Sequence, residues 1–243
     1  MNSLRSAFLV LLPLLGGLIL TSCDDGKPGS SGAASDSVGE LAPAAEKPAQ
    51  PQSGAADTAG PVITNVAVIS TDLGDITLGL YGFDAPKTVQ NFIGLAKRDF
   101  YDSIGFHRVV RGFVIQGGDP FSKDMSLYEQ WGQGGESIYG DTFEDELDRN
   151  SPSGKIGYVT GTLAMANRGP NTNSSQFFIV LSTAGASNLP YGYTIFGTVL
   201  EGMDVVHKIE ESAVDQNGNP VQLPKDIVRI KDVIIKDGAP SIQ

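Results

Sequence analysis

Two stretches of the chain carry polar side chains that their otherwise strand-like patterning does not require. The first runs from Phe106 to Asp119 and sets His107, Arg108, Arg111 and Gln116 among Val109, Val110, Phe113, Val114 and Ile115. The second runs from Met165 to Phe178 and places Asn167, Arg168, Asn171, Thr172, Asn173 and Gln176 ahead of Phe177 and Phe178. The chain has one cysteine, Cys23, and two histidines, His107 and His207. One cysteine forms no intramolecular disulfide and no Cys-rich metal site. Two histidines leave little room for a metal cluster or for Ser–His nucleophilic machinery. Much nucleophilic and thiolate- or imidazole-based metal chemistry is excluded by these counts.

Such side chains need a rigid frame, and the patterning around them is that of strands. Asn65–Ser70 and Asp75–Tyr81 alternate as strands around the short turn Thr71–Gly74, which predicts a hairpin. Asp84-Ala85-Pro86 predicts a helix start, with Asp84 as N-cap and Pro86 in the first turn. Val89, Phe92, Ile93, Leu95 and Ala96 continue as a helical stripe. Further strand-like runs are 105–110, 113–116, 161–166, 177–181, 194–200 and 227–236, and 202–211 reads as a second helix. Eight short strands and two helices predict a mainly β fold, an eight-stranded antiparallel β-barrel capped by two α-helices. Closure of the barrel would remove exposed edges. The long Gly- and Asp-rich stretch from Asp119 to Lys155 reads as a loop that is functional or ordered by its own contacts.

The 243 residues are not uniform. Residues 1–22 read as an export signal: one early charge, Arg5, then an apolar run from Ala7 to Leu20, too short for a membrane span of about 20 residues. Residues 23–60 are mostly Ala, Gly, Ser and Pro, without aromatic residues, and cannot bury enough apolar surface to order themselves. They read as a disordered linker with a reach of roughly 30–35 Å. Residues 61–243 read as one folded domain. They hold 14 of the 17 basic and 22 of the 28 acidic residues, a net charge of about -8 within a total of -11. That balance argues against a nucleic-acid partner, which selects a basic face.

The two polar stretches resemble the signature segments of the cyclophilin family of peptidyl-prolyl cis-trans isomerases. The similarity rests on Phe106-His107-Arg108, Gly112-Phe113 and Gln116-Gly117-Gly118-Asp119, and then on Met165-Ala166-Asn167, Gly169 to Asn173 and Ser175 to Phe178. A third similar stretch comprises Gly134-Gly135, Ser137 to Gly140 and Phe143 to Glu146. The resemblance covers about residues 62–237. It implies an isomerase acting on X-Pro bonds of proline-containing polypeptides, without cofactor or metal. By the same resemblance Arg108 is the catalytic arginine, with Gln116 holding substrate and orienting it. Asn167 binds peptide backbone, Phe113, Val114, Phe178 and Leu189 form the proline pocket, and Ala166, Gln176 and Tyr193 complete the groove. Taken alone, the apolar members of this set read as ordinary core. A proline-binding or assembly module with incidental isomerase activity is the alternative.

Leu20-Thr21-Ser22-Cys23 resembles the lipobox of bacterial lipoproteins, which implies a lipid anchor on Cys23 and an exported, membrane-anchored protein facing the periplasm or the cell exterior. A monomer is expected. Several positions depart from the family pattern. Val114 replaces the commoner Met, and Asn188 stands where a Trp often sits and Tyr193 where a His often sits. The only tryptophan, Trp131, lies in the long loop. In the family that Trp helps bind cyclosporin, so weak cyclosporin binding is expected. His107, one residue from Arg108, is expected on the opposite strand face as a buried, hydrogen-bonded structural residue, and His207 on a helix surface. The glycines at 132–135 read as turn residues, because the lysine and strand–helix context of a phosphate loop are missing.

Overall fold

The computed structural model describes residues 60–213, 221–222 and 226–237. The expected leader, Cys23 and the linker up to residue 59 lie outside the described residues. The first hairpin forms as its alternation predicts, from β1 (Asn65–Thr71) and β2 (Gly74–Leu80). Thr71 locks its turn: the Oγ1 donates to Gly74 O at 2.7 Å and accepts from Leu73 N at 3.1 Å.

Helix α1 (Pro86–Ala96) buries the predicted stripe, with Val89, Phe92, Leu95 and Ala96 facing the core. Its cap differs from the expectation. Ala85 is the N-cap and makes no side-chain cap, while the Asp84 carboxylate accepts from Ser153 N at 2.7 Å. The amides at the helix start, which have no partner within the helix, are satisfied from far along the chain. Glu146 accepts from Lys87 N at 3.0 Å and from Thr88 N at 2.8 Å. A carboxylate at a helix N-terminus also interacts favourably with the aligned peptide dipoles.

The remaining strands are β3 (Arg108–Val110), β4 (Val114–Gly117), β5 (Thr162–Met165), β6 (Phe177–Val180), β7 (Ile195–Glu201) and β8 (Ile230–Asp237). All eight belong to one antiparallel sheet in the order β3-β4-β6-β5-β7-β2-β1-β8. The sheet curls until its ends meet, but the seam is not a strand ladder. Gly105 bridges Arg229, Phe106 N donates to Val228 O, and Val109 N donates to Gln222 O. The run at 105–107 therefore pairs at the seam as an isolated bridge, and β3 shortens to three residues.

Two helices were expected and three are seen among the described residues. Helix α3 (Met203–Ser212) follows Gly202, whose φ of 89° explains a glycine at that cap. The extra helix, α2 (Pro152–Ile156), is one short turn started by Ser151, whose side chain accepts from Gly154 N. The long loop also winds into two 3₁₀ segments, Pro120–Lys123 and Met125–Gln130, each opened by an aspartate side chain that accepts a backbone amide.

The interior is filled with side chains. Phe177 is fully buried, and Phe92, Tyr101 and Phe106 meet it edge-on with ring centroids 5.8, 5.9 and 6.4 Å away. Strand alternation then divides neighbours between two faces. Val109, Ile115, Leu163, Phe177 and Ile179 enter this core. Val114, Ala164, Phe178 and Val180 form a second apolar cluster on the outer face, joined by the half-buried Phe113, Ala166, Leu189 and Tyr193.

Candidate active site

The register of four strands lines up a row of side chains across the outer face. Arg108 of β3 lies opposite Gln116 of β4, Gln116 opposite Phe178 of β6, and Phe178 opposite Ala164 of β5. The adjacent row is Val110, Val114 and Val180. Period two therefore puts a cation and an amide beside an apolar wall. The β3–β4 turn adds Phe113: its N donates to Val110 O at 2.9 Å, its O accepts from Leu181 N at 2.8 Å, and Gly112 takes a φ of 68°.

These elements enclose a groove of about 220 Å³ lined by Arg108, Phe113, Val114, Gln116, Ala166, Asn167, Phe178, Leu189 and Tyr193. Nine of the ten groove residues expected from the sequence thus surround one site. The tenth, Gln176, stands behind Gln116 and lines a smaller adjoining cavity of about 60 Å³, together with Gly132, Arg168, Thr172 and Ser174. Arg168 closes one side by donating from Nη2 to Gly132 O and Gly134 O, each at 3.2 Å. The sequence reading assigned nothing to Arg168, Thr172 or Ser174, although all three fall inside the second polar stretch.

A directed chain of hydrogen bonds runs back from Arg108. Its Nη1 donates to Gln116 Oε1 at 3.4 Å, and Gln116 Nε2 donates to Gln176 Oε1 at 2.9 Å. Gln176 Nε2 then donates to Gly132 O at 3.0 Å and to Gly134 O at 2.7 Å. The loop carrying these carbonyls is pinned by the buried Asp119, whose carboxylate accepts from Phe121 N and from Gly132 N. Each amide has one end fixed as donor and the other as acceptor, which leaves a single orientation for both glutamines. Among the described residues no carboxylate pairs with Arg108. A neutral amide holds the guanidinium, so its charge remains available to a ligand.

The opposite wall is set by tyrosines. Phe178 meets Tyr193 edge-on, with centroids 5.5 Å apart. Tyr158 fixes the Tyr193 backbone, since its hydroxyl donates to Tyr193 O at 2.8 Å and accepts from Tyr193 N at 3.0 Å. Burial pushes the Tyr158 phenol up to about 12, so it stays protonated and can make both bonds. Asn167 Nδ2 donates to Gly192 O at 2.8 Å, tying the end of β5 to the segment that bears Leu189 and Tyr193.

His107 lies on the core face as strand alternation predicts and is 1% exposed, with the Gly105 backbone and the Gln176 side chain beside its ring nitrogens. Burial lowers its pKa, and the nearby Asp119 charge opposes that shift only in part, so the ring is neutral. His207 is half exposed on α3 as expected. Gly132 and Gly135 have φ values of 89° and 149°, which fits turn glycines. Trp131 is buried, donates to Asp124 O at 3.2 Å and does not line the groove.

A family model described as cyclophilin type peptidyl-prolyl cis-trans isomerase matches residues 66–233. The peptidyl-prolyl cis-trans isomerase cyp15 of Rhizopus delemar is 42% identical over 175 residues, covering 72% of this chain and 25% of that protein. The isomerase ppi1 of Schizosaccharomyces pombe is 45% identical over 161 residues, covering 66% of this chain and 94% of that one. The chain thus spans a quarter of the first relative and nearly all of the second. A crystal structure of a Cryptosporidium parvum cyclophilin type isomerase superposes with a TM-score of 0.60 at 35% identity, over 71% of this chain and 97% of that one. The same protein was also crystallised in the presence of the dipeptide Ala-Pro, and that structure gives a TM-score of 0.58. With the matched residues spanning the strands that build the groove, this chain belongs to the cyclophilin family of peptidyl-prolyl cis-trans isomerases.

Proposed function

We propose that the chain catalyses rotation about X-Pro peptide bonds, and that Arg108 is the catalytic residue. The observation that carries this reading is the Arg108–Gln116 pair at the rim of an apolar groove. Rotation about a peptide bond meets a barrier of roughly 18–20 kcal/mol from C–N double-bond character. No bond is broken, so no nucleophile is required. The enzyme has to bind the twisted state better than either planar one. In that state the prolyl nitrogen regains its lone pair and becomes a better acceptor. A guanidinium can donate to this nitrogen and to the neighbouring carbonyl together.

In this reading Phe113, Val114, Phe178 and Leu189 hold the proline ring, as the Ala-Pro dipeptide used with the Cryptosporidium protein suggests for the class of ligand. Ala166, Asn167 and Tyr193 hold the flanking peptide. Gln116, held by Gln176, fixes the guanidinium while the other half of the substrate turns. An exchange assay on an X-Pro peptide, by NMR or with a coupled protease, tests the proposal. Turnover is expected, with collapse in Arg108→Ala. Absence of turnover on every X-Pro peptide would sink it and favour a proline-binding or assembly module.

The residues before the domain extend the proposal. The apolar run ending at Cys23 and the linker that follows support an exported protein that assists folding outside the cytoplasm, tethered through lipid on Cys23, with residues 61–243 as its folded part. Mass spectrometry of the native N-terminus tests this, and an unmodified Met1 or an unlipidated Cys23 would refute it. The site acts as a monomer on proline-containing polypeptides. Cyclosporin binds weakly, because Asn188 is exposed at the groove segment and Trp131 is occupied with Asp124. A tight dissociation constant by calorimetry would refute that last statement.

A further inference from the structure

The hairpin that carries Arg108, Phe113, Val114 and Gln116 joins the sheet ladder through β4, which pairs with β6. Strand β3 is only three residues long and stands at the end of the strand order, so it has a ladder partner on one side alone. Its turn is bonded at Phe113 to Val110 and Leu181, and at Gly112 to α3. Gly112 N, which has no partner in the ladder, donates to Glu210 Oε1 of α3 at 2.8 Å. The other carboxylate oxygen lies 3.0 Å from His207 Nδ1, and Arg111 Nη2 donates to Glu211 O at 3.5 Å. The Glu210 side chain is 16% exposed. Desolvation raises its pKa, but the bonds from His207 and Gly112 and the nearby Arg111 charge outweigh that, and the group is held below the usual glutamate range. A half-buried carboxylate is therefore kept ionised, with one oxygen committed to a backbone amide. Bonds of this kind are stronger than neutral ones.

We infer that Glu210 is a positioning residue for the groove: it clamps the β3–β4 turn at Gly112, and so sets Phe113 against the proline ring and Arg108 at the rim. The inference rests on the isomerase reading for its kinetic consequence, whereas the clamp itself can be measured without turnover. Because the hairpin carries Phe113 as well as Arg108, loosening its turn raises KM and lowers kcat together. Loss of a groove donor such as Arg108 acts mainly on kcat.

The test uses the full chain, assayed well below its melting temperature. Glu210→Ala is expected to lose about tenfold in kcat/KM, the scale of one charge-assisted hydrogen bond. Glu210→Gln, whose amide oxygen still accepts from Gly112, is expected to stay within about twofold of wild type. His207→Ala leaves the Gly112 bond in place and should not change activity. Gly112 amide exchange should speed up in Glu210→Ala and remain slow in Arg108→Ala. A folded Glu210→Ala with wild-type kcat/KM and unchanged Gly112 exchange would overturn the inference, and so would a Glu210→Gln as impaired as the alanine variant. If Glu210→Ala does not fold, the wild type decides: its Gly112 amide resonance should follow Glu210 protonation in an acid titration, and a flat response overturns the clamp. A wild type without turnover but with a protected Gly112 refutes the isomerase reading and leaves the clamp standing.

Discussion

Arg108 faces Gln116 directly across the β3–β4 ladder, and its Nη1 donates to the Gln116 Oε1 at 3.4 Å. The two are eight residues apart in the chain and opposite each other in space because a tight turn at 111–113 reverses the strand. A neutral amide orients the guanidinium without cancelling its charge. A carboxylate in that place would have held the arginine more strongly and reduced its pull on a substrate.

Replacing that arginine should separate binding from turnover. Arg108→Ala is expected to lower kcat/KM on a prolyl peptide by about 10²–10³-fold, the usual scale for one donor aimed at a developing charge. Binding of a proline peptide, followed by NMR titration, should change only severalfold, since the apolar wall is untouched. Arg108→Lys should recover little, because an ammonium cannot reproduce the planar two-point donation. Full activity in the lysine variant would contradict the role given to the guanidinium.

Removing the orienting amide should have a smaller effect. Gln116→Ala is expected to cost about tenfold in kcat/KM, as one hydrogen bond to a charged group is lost. Gln176→Ala should act in the same direction, because Gln176 is what fixes the direction of Gln116. The melting temperature of Gln116→Ala should stay close to wild type, since the site is half-buried at the surface. Unchanged kinetics in both variants would show that the chain of amides does not act on Arg108.

The buried His107 should make the fold sensitive to acid. Its pKa in the folded chain lies below the ordinary 6.5 because of burial. The unfolded chain therefore binds the proton first. The contribution of neutral His107 is complete above about pH 6.5 and is lost as pH falls toward the folded-state pKa. The slope from this one group is at most about 1.4 kcal/mol per pH unit. Denaturant melts at pH 7 and pH 5 should show the loss, and His107→Phe should flatten it. An equally steep fall in the phenylalanine variant would place the sensitivity elsewhere.

Glu146 is the remote cap of α1. Glu146→Ala leaves Lys87 N and Thr88 N without their acceptor and is expected to destabilise the fold by about 2–3 kcal/mol. Asp84→Ala should leave α1 capped, because Asp84 accepts from Ser153 N at the start of the one-turn α2 instead. Chemical denaturation of the two variants distinguishes the carboxylates, and a larger loss on the Asp84 side would reverse this assignment.

Much of the site could be seen in the sequence because it depends on short-range order. Alternation through 108–116 and 162–180 already places Arg108, Gln116 and Phe178 on one face and Val109, Ile115 and Phe177 on the other. Hydrophobic period and turn residues are local properties, and they determined the eight strands, helices α1 and α3, and the two polar stretches. The supports of the site are not local. Gln176 reaches Gln116 across 60 residues, Gln176 takes its direction from Gly134 across 42, and Glu146 caps a helix 58 residues upstream. Asp84 looked like the cap because only its neighbours were visible, and it lost that place to a carboxylate brought in by the long loop. Glu210 likewise gives no sign in the sequence that it serves Gly112, 98 residues away. The sequence by itself determined which strand side chains share a face with Arg108, through the period of the strands, and the family resemblance supplied the groove residues outside them. Only the tertiary structure decided which distant groups hold them still, because those partners are selected by chain closure and packing and not by any pattern along the chain.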